Sequence, residues 1–148
     1  MRLIARRHYG FTLIEVLLAV VVIITLFLII FWALNPAKQL ANTRNAQRSS
    51  DADTILKALY QYSIDYNGNF PEDITEEEKE ICQTNNYFCN DGVDLSVLTY
   101  KNIYLHEIPV DPKVKNLDKT GYTIRKEYDR IVVRAINAEN GKEIEITK

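Results

Sequence analysis

Between Phe11 and Leu34 the chain has no basic residue, no proline and no glycine. The missing base leaves the one acid of that run, Glu15, without a partner along the segment. The missing proline and glycine remove the usual helix breakers. Chemistry-bearing residues are sparse elsewhere. The two histidines, His8 and His106, lie far apart in sequence, and no serine sits in a G-x-S-x-G turn. No glycine-rich phosphate loop is present either. These absences exclude the motif-readable hydrolases and nucleotide enzymes, and the chain reads as no enzyme. Acid is absent from the first ten residues, which hold Arg2, Arg6 and Arg7. From Phe11 onward 20 acidic residues face 15 basic ones, a formal charge of −5. That excess argues against nucleic acid as a partner and fits a head that stays dispersed in water.

What is present begins with hydrophobicity. From Phe11 to Leu34 only Thr12, Glu15 and Thr25 are polar. A bilayer core needs about 20 helical residues, so the run is long enough to span. The arginines before it predict a cytoplasmic N-terminus with the remainder outside. A cleaved secretory signal has a shorter apolar core followed by a small-residue site; Trp32-Ala33-Leu34-Asn35-Pro36 is a poor one. The segment is therefore expected to be retained. A simple signal anchor would satisfy all this except Glu15. A lone charge within hydrocarbon costs roughly 2.5–3.5 kcal/mol on insertion scales, and such a residue points to function.

Gly10-Phe11-Thr12-Leu13-Ile14-Glu15 followed by an apolar helix resembles the class III signal of type IV pilins and type II secretion pseudopilins. The resemblance implies a leader at 1–10, cut by a prepilin peptidase between Gly10 and Phe11 on the cytoplasmic side. The same enzyme would N-methylate Phe11. Glu15 would then pair with the terminal amine of a neighbouring subunit. Physics supports this pairing independently, because a buried carboxylate and ammonium neutralise each other and either one alone is costly. The implied partners are further copies in a helical filament, the peptidase, an inner-membrane assembly platform, and the membrane itself before assembly. The implied location is the inner membrane for the precursor and the cell surface or periplasm for the filament. The presence of Glu15 favours a major subunit over the tip subunit that lacks it.

The helix is expected to continue through 35–66, spanning about 80 Å in all at 1.5 Å per residue. Pro36 suits a first helical position. Apolar residues recur at Ala37, Leu40, Ala41, Ala52, Ile55, Leu56, Leu59, Tyr62 and Tyr66, with a period near 3.6 from Ala52. Asn67-Gly68, with Pro71 beyond, is a stop. The run from Asn35 to Arg48, N-P-A-K-Q-L-A-N-T-R-N-A-Q-R, is similar to the segment after the apolar stem in bacterial major pilins and pseudopilins. One departure is that many pilins carry a helix breaker inside the stem. Here Asn35-Pro36 is the expected weak point instead. Arg44 and Arg48 share a helix face, open either to acids of a neighbouring subunit or to solvent.

Residues 67–148 read as a small α/β head, giving an α+β, pilin-like fold. The stretch 67–94 is polar, with Thr75 placed to cap a helical turn before Glu76-Glu77-Glu78. Cys82 and Cys89 can close a short loop if the head reaches an oxidising compartment; two free thiols or part of a metal site are the other readings. Asp94 to Leu98 suggests a short helical turn. Ile108-Pro109-Val110-Asp111-Pro112 resembles the P-x-D-P before the sheet of major pseudopilins and several short pilins. Alternation predicts three antiparallel strands around Tyr122–Arg125, Ile131–Ile136 and Glu143–Thr147, packed on the 52–66 helix. No cofactor is expected. Asp91, Asp94, Asp111 and Asp118 are weak candidates for calcium, as in some major pseudopilins, and match no EF-hand spacing. Two further readings remain beside the major pilin: a type II secretion major pseudopilin, and a signal-anchored protein with an extracytoplasmic ligand-binding domain.

Overall fold

The structure is a computed structural model that describes residues 10–84, 89–115 and 118–148. The leader's first nine residues lie outside that range. Contacts divide the chain into two units, Met1–Gln39 and Leu40–Lys148.

The first unit is dominated by α1 (Leu13–Leu34). Thr12 caps it, with backbone in the extended region and Oγ1 accepting a 3.3 Å hydrogen bond from the Glu15 amide. This is the expected use of a threonine at a helix start. The helix runs unbroken to Leu34, as the absence of glycine and proline requires. Its span Leu13–Ala33 is long and apolar enough to cross a membrane. Its large apolar side chains are exposed, Trp32 at 90%, so their partners must be lipid or other chains. Asn35 ends the helix in the left-handed region (φ 42°, ψ 77°). Its Oδ1 then accepts from the Lys38 amide at 3.3 Å and starts α2 (Pro36–Asp65), with Pro36 first. The expected single helix is therefore two helices, and the break falls at Asn35-Pro36.

In the second unit the buried face of α2 runs Ala41, Asn45, Arg48, Ala52, Ile55, Leu56, Leu59, Ser63. The steps of three and four are those of one helical stripe. Leu40 and Tyr66, expected on this stripe, are 60% and 51% exposed. Asn45 and Arg48, which hydropathy alone leaves to solvent, take places on it. The helix closes as its stop signal requires: Asn67 and Gly68 have positive φ, and the Gly68 amide donates to the Ser63 carbonyl at 2.7 Å. That 6→1 bond is a Schellman ending.

The sheet has five strands: β1 (Lys79–Cys82), β2 (Gly92–Val93), β3 (Lys119–Glu127), β4 (Arg130–Ala135) and β5 (Glu145–Thr147). Their order is β2-β1-β3-β4-β5. β2 runs parallel to β1, and the other neighbours are antiparallel. β3, β4 and β5 are the three expected strands, with Tyr128-Asp129 between the first two. Tyr122, Ile124, Ile131, Val133 and Ala135 turn inward onto Ala52, Ile55, Leu56 and Leu59, with Ile144 and Ile146 beside them.

The sheet thus exceeds expectation by β1 and β2, which lie in the stretch that reads as polar loop. β1 has only Ile81 and Cys82 as apolar residues and follows an acidic run, while β2 is two residues long. Neither offers a periodic pattern to read. The expected helical turn at Thr75 is likewise absent; the Thr75 carbonyl accepts from the Lys126 amide at 2.7 Å and leads the chain into β1. The turn after Asp94 does form, as α3 (Ser96–Thr99), with Asp94 Oδ1 accepting from the Ser96 amide at 2.8 Å.

Candidate assembly and processing site

Gly10 and Phe11 precede the cap of α1 and are exposed, Phe11 at 80%. The Gly10–Phe11 peptide bond lies outside α1, before its Thr12 cap. Glu15 stands in the first turn, where the helix N-terminus favours an anion. Its side chain is exposed, and among the described residues no cation lies within ion-pair distance. Gly10, Phe11 and Glu15 lie within six consecutive residues.

The head holds a second constellation, which fastens α2 to two loops. Arg48 is fully buried and meets Asp111, 2% exposed, through Nε–Oδ2 at 2.6 Å and Nη2–Oδ1 at 3.3 Å. Its Nη1 reaches Asn45 Oδ1 at 2.8 Å and Glu139 Oε2 at 3.0 Å. Arg44 holds Glu139 by a fork of 2.7 and 2.8 Å, and Lys113 Nζ approaches Glu139 Oε1 at 2.6 Å. Asn45 completes the loop attachment: its Nδ2 donates to the Glu139 carbonyl and its Oδ1 accepts from the Glu139 amide. Arg44, then Lys113, hold the Glu139 carboxyl well below the usual carboxylate range. Bidentate arginine pairing of this kind fixes geometry as well as charge. The two arginines thus spend their donors inside the head, which corrects their reading as contacts to a neighbour or to solvent. Asp111 is the aspartate of the I-P-x-D-P turn, so that motif has a physical use here as the acceptor for a buried guanidinium.

Cys82 and Cys89 are joined in a disulfide. The four aspartates weighed for calcium do not converge. Asp111 is committed to Arg48, Asp94 accepts from the Ser96 amide at the start of α3, and Asp91 lies exposed with positive φ. Among the described residues no group of three or more histidine, cysteine or carboxylate side chains is placed to hold a metal. His106 is exposed.

Residues 5–31 match the family model described as the prokaryotic N-terminal methylation motif. The chain carries the class III signal of type IV pilins and pseudopilins. Neither the curated proteins nor the solved structures contain a match. The matched stretch includes Gly10, Phe11 and Glu15 and ends within α1. Everything that makes up the head lies beyond it. The pilin-like chain therefore has an N-terminus tied to a known motif and a head whose features are read from its own geometry. Sequence reasoning missed Asn45 and Lys113 and, above all, Glu139. Its only signal is one acid in the Ala138-Glu139-Asn140-Gly141 turn, and pairing across 95 residues leaves no local trace.

Proposed function

We propose that this chain is the major structural subunit of a type IV pilus-like filament. The carrying observation is Glu15: a single carboxylate in the first turn of an exposed, 22-residue apolar helix, four residues after the motif's Phe11. A membrane anchor has no use for that acid, whereas a bundle of stems does. In this reading the prepilin peptidase cuts after Gly10 and methylates Phe11. The freed chain waits in the membrane on α1, and an inner-membrane platform feeds it into a helical filament. The Phe11 ammonium of one subunit meets Glu15 of another and sets the register. The head stays outside, held together by its disulfide and its Arg48 cluster. A secretion pseudopilus would use the same stem.

Filaments sheared from cells test the choice. The pilus reading expects surface fibres whose dominant protein is this chain, visible by electron microscopy with antibody label on the head. Label confined to the cell envelope, with no surface fibre, would replace the pilus by a secretion pseudopilus.

A further inference from the structure

We propose that the Cys82–Cys89 bond is a redox-operated pin that decides whether the outermost strand, β2, is docked on the sheet. Cys82 ends β1 and is 3% exposed. β2 starts three residues beyond Cys89, pairing Gly92 with Glu80 and Val93 with Ile81. Gly92 lies directly against the sulfur pair. A Cβ built on it would stand 2.4 Å from Cys89 Sγ, 2.5 Å from Cys82 Sγ and 3.0 Å from the Glu80 carbonyl oxygen. The strand and the bonded sulfurs therefore share one closely filled space.

Reduction enlarges the contents of that space. Two thiols must move apart from bonding distance to ordinary non-bonded contact, roughly 3.5–4.0 Å for heavy atoms. Cys82 is held by its pairing with Lys119 of β3. Movement therefore falls on Cys89 and on Gly92, which lies against it. A two-residue strand cannot hold its place by hydrogen bonds alone. Its remaining anchors are Val93, Leu95 and Leu98, each no more than 1% exposed. Loosening therefore runs from Gly92 toward Leu98, while β3, β4 and α2 stay packed through Ile55, Leu56, Leu59, Tyr122, Ile124 and Ile131 of the core they share with that segment. Such local opening, short of global unfolding, is the usual grain of protein stability. Closing the pin removes two protons and two electrons from the thiols and reduces the disulfide of an external dithiol-type oxidant to two thiols. In a reducing compartment the segment 92–98 stays loose, and in an oxidising one it locks. The benefit to a head that is finished only after export rests on the filament reading; the device itself does not.

Hydrogen exchange of the full chain in detergent micelles, oxidised and then held in dithiothreitol, tests this. Amides between 92 and 98 should exchange about tenfold faster or more after reduction, with those of β3, β4 and α2 residues 52–63 unchanged. Unchanged exchange at 92–98 overturns the pin, and equal loss across β3 and β4 overturns its local character. A Cys82→Ala/Cys89→Ala chain, which removes the bond and the bulk together, should fall between the oxidised and reduced native chains. If it matches the oxidised chain, the bond holds nothing. If it exchanges as fast as the reduced chain, crowding plays no part. Neither result depends on whether the chain forms filaments.

Discussion

Glu15→Ala is expected to abolish filaments while leaving the precursor inserted and cleaved as in wild type. The substitution makes α1 more apolar, so insertion is not impaired, and the cleavage bond lies on the other side of the Thr12 cap. What changes is the assembled state. Each incoming stem would bring an ammonium into an apolar bundle with no carboxylate to meet it. Stranding one member of a buried ion pair costs about 3–5 kcal/mol. That is roughly two to four orders of magnitude in the affinity of each added subunit. Glu15→Gln should fail almost as completely, since it keeps the shape and loses the charge. Immunoblots of cleaved chain beside the yield of sheared filaments would check this. Wild-type filament yield from Glu15→Ala would mean that register is set by something else.

Arg48→Ala should be the most damaging substitution in the head. It leaves Asp111 buried without its cation and frees Asn45 and Glu139 from their shared donor. Removing one partner of a buried pair costs about 3–5 kcal/mol, against a total stability of about 5–15 kcal/mol for a typical domain. Limited proteolysis of the detergent-extracted chain should then show the head cut within the 107–115 and 137–142 loops. Arg44→Ala, at a 30% exposed side chain, should do much less. Arg48→Met combined with Asp111→Leu should recover part of the loss, because an apolar pair of similar volume replaces two charges. If the double variant proved worse than either single one, the cluster would owe its value to something other than charge compensation.

How far the sequence could be read follows the range of each interaction. α1, the break at Asn35-Pro36 and the stop at Asn67-Gly68 are local events. Each depends on residues within about one turn, and each was legible. β3, β4 and β5 were legible too, because alternation marks a half-buried strand. β1 and β2 were not. They sit in the sheet because Cys82 and Gly92 pack together and because Ile81 and Val93 reach the core. The Arg48 cluster was hidden for a related reason. Hydropathy assigns an arginine to solvent, and only a fold that brings Asp111 and Glu139 to it reverses that assignment. The candidate site divides the same way. Gly10, Phe11 and Glu15 form a contiguous motif, while the head's fastening is spread over residues 44 to 139.

In the proposed filament, cleavage of the Gly10–Phe11 bond would create the amine that pairs with Glu15. Intact-mass analysis of the chain extracted from the membranes and filaments of cells with a working prepilin peptidase reads this directly. The expected mass is that of residues 11–148 with one added methyl group at the N-terminus and two hydrogens fewer for the disulfide. A chain that still carries Met1 to Gly10 would contradict the account.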